Sequence, residues 1–175
     1  MRSAGIALLR PGPDGPRAPE VLLVHPGGPF WRNKDTHAWS IPKGEVDEPE
    51  PTSADLEATA RREFAEETGH PAPDGPLVAL PEFRLGSSSK RLHCFVTVGR
   101  LDPATVVSNT FDLEWPPQSG TLQSFPEVDR ADWFDLAEAR TKLHKGQVPL
   151  VDLLVELVVN EALVEQLSSE EATES

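Results

Sequence analysis

Three glutamates, Glu63, Glu66 and Glu67, fall within residues 62–69, the string REFAEETG. In a helix, spacings of three and four residues turn all three carboxylates to one side. Unpaired like charges at that spacing repel one another and weaken the helix. The arrangement makes physical sense when a divalent cation sits among the carboxylates, and hard oxygen donors of this kind suit Mg²⁺ or Mn²⁺. Phe64, one residue round, turns the opposite way, toward a core. The chemistry to expect from such a helix is metal-assisted, and the rest of the chain must hold it and shape a pocket over it.

Several short elements serve that purpose. Residues 3–9 (SAGIALL) and 20–25 (EVLLVH) read as strands joined by a Pro/Gly-rich connection. Residues 26–37 are too rich in Gly, Pro and polar side chains for regular structure, and they carry Phe30 and Trp31. Residues 38–41 form a short strand running into Pro42, Lys43 and Gly44. Thr52 or Ser53 caps the glutamate helix, with Asp55 three residues after Thr52 in capping-box fashion. Residues 77–85 and 91–98 read as a hairpin. In the second of these, Leu92, Cys94, Val96 and Val98 share one face, and His93, Phe95 and Thr97 the other. The Pro-punctuated stretch 101–128 is expected to be a packed lid carrying Phe111, Glu114, Trp115 and Phe125. A last strand at 131–134 precedes a short helix from Asp135, and Pro149 opens an amphipathic helix to about residue 167. This order predicts a single α+β domain over residues 1–167, an α/β/α sandwich with a mixed sheet between helices.

At 175 residues, with 38% hydrophobic and 26% charged side chains, the chain is long enough to bury a core. Its net charge of −13 argues against binding long nucleic acid, which needs a Lys/Arg surface. A small polyphosphate remains open to it when metal ions separate the two sets of negative charge. Residues 168–175 (SSEEATES) read as an acidic, disordered tail. One cysteine, Cys94, excludes an internal disulfide and fits a reducing, cytoplasmic setting. No apolar run reaches the ~20 residues that span a bilayer, so no membrane partner is expected.

Gly44, Glu50, Arg62, Glu63, Phe64, Glu66, Glu67 and Gly69 match, in kind and order, the box of the Nudix hydrolase family, which this stretch resembles. Two departures stand out. Residues 51–61 separate Glu50 from Arg62 where the family has seven residues, and His70 stands where an apolar residue is usual. The extra length is close to one helical turn and falls before the cap, so it need not rotate the glutamate face. It leaves Glu50 the least secure member of the set, with Glu57 a possible substitute. The resemblance implies that Glu63, Glu66 and Glu67, with the main-chain carbonyl near Lys43 and Gly44, ligate Mg²⁺ (or Mn²⁺). It implies that Arg62 orients a ligating carboxylate, where a plain helix ion pair with Glu66 is the simpler alternative. Gly44 and Gly69 would permit tight turns at the two ends of the motif.

The implied reaction is hydrolysis of a phosphoanhydride in a small nucleotide, with Glu66 or Glu67 as base, or a loop glutamate such as Glu114 or Glu127. WSIPKGE, residues 39–45, is similar to a run found in dinucleoside polyphosphate and diphosphoinositol polyphosphate hydrolases. It makes Lys43 a candidate phosphate contact. Separately, Phe30, Trp31 and Trp115 are aromatic residues that could stack on a base, with core or lid packing the equal alternative. Glu50 is counted with Lys43 and Trp31 as a candidate substrate contact. The chain has no tyrosine, whereas many dinucleoside polyphosphate hydrolases carry one downstream of the box. Expected substrates are a dinucleoside polyphosphate or a nucleoside triphosphate. ADP-ribose or a nucleotide sugar is the alternative, as is a non-catalytic nucleotide-binding regulator. A monomer or homodimer is expected.

Overall fold

The computed structural model describes residues 1–174. In chain order it contains β1 (Arg2–Gly12), β2 (Gly15–Pro26), β3 (Lys43–Glu45), α1 (Ser53–Thr68), β4 (Val78–Ala79), β5 (Phe83–Arg84) and β6 (Arg91–Val98). There follow β7 (Thr110–Glu114), β8 (Leu122–Pro126), β9 (Val128–Asp135), α2 (Leu136–Lys142), α3 (Pro149–Val159) and α4 (Val164–Glu174). The main sheet runs β4-β6-β1-β2-β9, with β3 beside β1 and β5 beside β6. β1 and β6 are parallel and their other neighbours antiparallel, which makes the sheet mixed.

Alternation along β1 and β6 supplies both faces of this sheet. Ala4, Ile6, Leu8 and Phe95 pack with Leu56, Ala60 and Phe64 of α1. Ala7, Leu9, Cys94 and Val96 pack on the opposite side with Leu150, Leu154, Leu163 and Leu167. The helix–sheet–helix layering expected from element order is therefore present, and the pattern read in RLHCFVTV separates the two cores. Phe64 is fully buried, so the residue between the glutamates fastens α1 to the sheet.

The cap of α1 is also as the sequence implies. The Thr52 side chain accepts from the Asp55 backbone N–H at 3.2 Å, and the Asp55 carboxylate accepts from the Thr52 N–H at 2.8 Å. The added turn after Glu50 is thus spent ahead of the helix. Thr52→Ala is expected to lower stability by about 1 kcal/mol in chemical denaturation, with little effect on the sheet. At the other end Gly69 adopts φ 76°, and its N–H donates to Ala65 O. A β-carbon there would lie 2.6 Å from Val107 O, so both backbone shape and space call for glycine.

Three expectations change. The single helix expected from Pro149 to about residue 167 breaks after Val159, where Asn160 follows two valines and Glu161 takes φ 60°. Weak helix formers cluster at that break, and Leu163 and Leu167 still reach the core beyond it. The segment read as a disordered tail over residues 168–175 is helical to Glu174, with residue 175 outside the described residues, and the Arg100 Nε donates to Glu170 Oε2 at 2.9 Å. The long 101–128 stretch contains a separate two-stranded hairpin, β7–β8. Among the described residues no helix is long and apolar enough to cross a membrane.

Candidate active site

The site grows from the contact between β3 and the glutamate face of α1. β3 pairs with β1 through Gly5–Lys43 and Ala4–Gly44, which fixes the Lys43–Gly44 peptide over the helix. A β-carbon on Gly44 would overlap the Glu63 carboxylate, so this glycine is required by the close approach of the two elements. The Lys43 backbone N–H donates to Glu67 Oε2 at 3.3 Å. Glu63 and Glu67 are thereby drawn against the β3 backbone.

Arg62 lies on the outer edge of the cluster. Its Nη1 is 2.9 Å from Glu63 Oε1 and 3.4 Å from Glu66 Oε1, and Nη2 is 3.9 Å from Asp47 Oδ2. One guanidinium thus bridges two of the candidate ligands, more than a single helix ion pair would do. Among the described residues no three His, Cys, Asp or Glu side chains converge into a ready-made cation site. Glu66 leans to Arg62, whereas Glu67 turns inward.

Electrostatics set Glu67 apart. Burial pushes its carboxyl up to about 8; the Lys43 ammonium and backbone N–H oppose that shift, and Glu63 and Glu127 add to it. Burial also raises Glu63, opposed by Arg62 and reinforced by Glu66 and Glu127. Glu127 therefore belongs to this cluster, and it is the loop glutamate that the structure brings to the helix. Its N–H donates to Asn109 O at 2.9 Å, and its own carbonyl accepts from Gly27 N–H at 2.9 Å. The strap before the hairpin is tied to α1 in turn: Val107 N–H donates to Thr68 O and Asn109 N–H to Glu66 O. Glu114, the other loop candidate, sits exposed at the end of β7.

Trp31 stands between two cavities. One, of about 320 Å³, is lined by Gly28, Phe30, Trp31, Phe111, Leu113 and Glu127. The other, of about 460 Å³, runs past Trp31, Trp39, Lys43, Gly44, Lys90 and His144. Buried His25 holds the Trp31 loop: its Nε2 donates to Lys34 O at 2.6 Å, and Nδ1 meets Asp129 at 2.9 Å. Phe30 packs edge-on against Trp115, joining that loop to the hairpin. Trp39 is a core residue whose Nε1 donates to Asp35 at 2.8 Å.

Glu50 is not brought to this cluster. It lines a different cavity with Arg2, Leu56, Glu82 and His93, ahead of the α1 cap. Glu57 does not replace it, because it pairs with Arg61 at 3.1 Å. His93 contacts Glu82, consistent with an ordinary sheet histidine. Lys90 and His144 carry no signal in the sequence: Lys90 precedes β6 and His144 follows α2, and only the fold brings both into the lining of the cavity that Lys43 also lines.

Residues 1–154 match the NUDIX domain family, and the chain belongs to it. Over 54 residues it is 48% identical to an RNA pyrophosphohydrolase of Caulobacter vibrioides, a match covering 28% of this chain and 29% of that protein. The matched region is thus under a third of the curated relative's length. Among solved structures, a NUDIX hydrolase from Alicyclobacillus acidocaldarius shares 18% identity at a TM-score of 0.61, covering 95% of this chain and 96% of that one. A C. elegans Ap4A hydrolase binary complex shares 17% at 0.55, covering 91% and 98%. The NUDIX domain of Shewanella oneidensis NrtR, complexed with ADP ribose, shares 20% at 0.54, covering 93% and 88%. At these identities the likeness is one of fold.

Proposed function

We propose that this chain hydrolyses a phosphoanhydride bond of a nucleotide with the help of divalent cations, its substrate being a dinucleoside polyphosphate or a nucleoside triphosphate. The observation that carries the reading is the packing of the α1 glutamate face on β3: Glu67 accepts from the Lys43 N–H, the Glu63 carboxylate lies against Gly44, and partial burial pushes Glu67 up to about 8. A cation among these carboxylates would restore the charged form of Glu67 at neutral pH. The donors fit: carboxylates of Glu63, Glu66 and Glu67 with the carbonyl near Lys43 and Gly44 are the hard oxygens that suit Mg²⁺ or Mn²⁺. When bound, that cation would supply charge neutralisation at phosphate and a more acidic water.

The remaining work belongs to the chain. Arg62 fixes Glu63 and Glu66 through its two contacts. Glu127, tied by its backbone to Asn109, whose own N–H donates to Glu66 O, is the loop group to which we assign uptake of a proton from attacking water. Lys43 offers a point charge to a phosphate, and the apolar cavity beside Trp31 and Phe111 offers ring faces to a base.

A second reading, ADP-ribose or nucleotide-sugar hydrolysis or nucleotide binding without turnover, draws on the fold shared with the ADP-ribose-bound NrtR domain. The RNA pyrophosphohydrolase relative adds a 5′-triphosphorylated RNA end to the substrates worth assaying. A panel of a dinucleoside tetraphosphate, nucleoside triphosphates, ADP-ribose and a 5′-triphosphorylated oligonucleotide, assayed with Mg²⁺, Mn²⁺ or chelator, tests the reading. Metal-dependent product release from the first two classes is expected. Preference for ADP-ribose would move the assignment to the alternative, and no turnover on any substrate would favour a binding role.

A further inference from the structure

The pairing of β2 with β9 slips out of register beside Glu127. His25 lies opposite Arg130 and Pro26 opposite Val128, so Asp129 has no partner across the pair. Pro26 has no N–H to donate, and a ladder that lacks a bond there can take up an extra residue as a bulge. Bulges re-aim side chains, and this one leaves the Asp129 carboxylate 2.9 Å from His25 Nδ1. His25 is fully buried, with Trp39 packed edge-on against its ring at 5.1 Å. Both ring nitrogens are engaged. Lys34 O can only accept, so Nε2 carries a hydrogen, and the Asp129 contact needs a second hydrogen on Nδ1 or on the carboxyl.

Two residues ahead of the bulged position, the Glu127 backbone is held by bonds outside the regular ladder. Its N–H donates to Asn109 O and its carbonyl accepts from Gly27 N–H, both at 2.9 Å. The next N–H, of Val128, donates to Ser108 Oγ at 2.9 Å. With register lost after His25–Arg130, the His25–Asp129 bond and the Gly27–Glu127 bond carry the grip of β2 across the bulge. We propose that Asp129, pinned by His25, is a positioning residue for Glu127: the pinned bulge sets the register in which the Glu127 carboxylate meets Glu63 and Glu67. The proposal rests on the hydrolase reading for the role of Glu127, and on geometry alone for the pinning.

The test is a set of variants of the full chain, read by turnover and by amide hydrogen exchange. Asp129→Ala is expected to lower kcat by about 10- to 100-fold with KM within a few-fold of wild type. Asp129→Asn should keep most of the rate, because its amide can donate to Nδ1 of a neutral ring. In a Glu127→Gln background, Asp129→Ala should cost no more than about a further threefold, since it acts through Glu127. A loss of general stability would instead cost the same factor in both backgrounds. Exchange of the Gly27 and Glu127 amides should be about tenfold faster in Asp129→Ala than in wild type or Asp129→Asn. Circular dichroism checks folding, and His25→Gln, which keeps a donor for Lys34 O, is the second route to the same loss. Wild-type kcat in Asp129→Ala, an equal loss in Asp129→Asn, a full added loss in the Glu127→Gln background, or unchanged exchange at both amides would each overturn the proposal. A chain that turns over no nucleotide yet shows the exchange pattern would sink the hydrolase reading and leave the pinning of Glu127 standing.

Discussion

Glu67→Gln is expected to lose about 10²–10⁴-fold in turnover, yet to give a more stable protein when divalent ions are absent. The two effects have one origin. The Glu67 carboxyl sits at about 8 in the fold against an ordinary value of 4.5, so the folded chain holds a proton that the unfolded chain releases. Between those values, rising pH therefore costs the wild type stability; the penalty is absent below about pH 4.5 and complete above about pH 8. Glutamine removes this dependence, and the variant should exceed the wild type by on the order of 2–4 kcal/mol at pH 8.5 in denaturant titrations. Added Mg²⁺ should raise the melting temperature of the wild type more than that of the variant. Wild-type turnover in Glu67→Gln would remove this residue from the mechanism, and an unchanged pH–stability profile would show the carboxyl is not buried as described.

Gly44→Ala should be nearly as damaging, through geometry instead of charge. The new methyl would occupy the place of the Glu63 carboxylate, and neither partner has free room. β3 is pinned to β1 on one side, and Arg62 holds Glu63 at 2.9 Å on the other. Overpacking of this kind costs about 1–3 kcal/mol. Displacing a ligating group by an ångström costs about 100-fold in rate. The expected signature is a loss in kcat/KM well beyond what the modest fall in melting temperature explains. Activity within a few-fold of wild type would mean that Glu63 is free to leave the Gly44 backbone without consequence.

Periodicity and capping carried much of this architecture. Thr52, Asp55 and Gly69 mark the limits of α1 because capping is a local interaction, and the alternation in RLHCFVTV marks two cores because a pleated strand has two faces. The helix bearing Glu63, Glu66 and Glu67 was legible for the same reason, although among the described residues the three carboxylates do not converge into a ready-made cation site. What local pattern cannot carry is convergence from distant turns. Glu127 was one of two loop glutamates with nothing in the sequence to rank them, and its nearness to Glu63 depends on hydrogen bonds to Asn109 and Gly27. Lys90, ahead of β6, and His144, after α2, come together only in the lining of one cavity. Glu50 shows the converse, for a matched motif position need not share the site once an added turn precedes the helix. The break at Asn160 and Glu161 escaped notice because the apolar periodicity resumes beyond it.

The strap from Val107 to Asn109 has a mechanical consequence. It is stitched to carbonyls of Thr68 and Glu66 at the end of the glutamate helix, and Asn109 in turn accepts from the Glu127 backbone. Chain length is therefore locked on both flanks of the β7–β8 hairpin while its tip hangs free of these bonds. Trimming or lengthening the tip should be absorbed locally, whereas adding one residue between Val107 and Asn109 would slide Glu127 relative to Glu63 and Glu67. In this fold the acid on the loop and the acids on the helix are geared to one another.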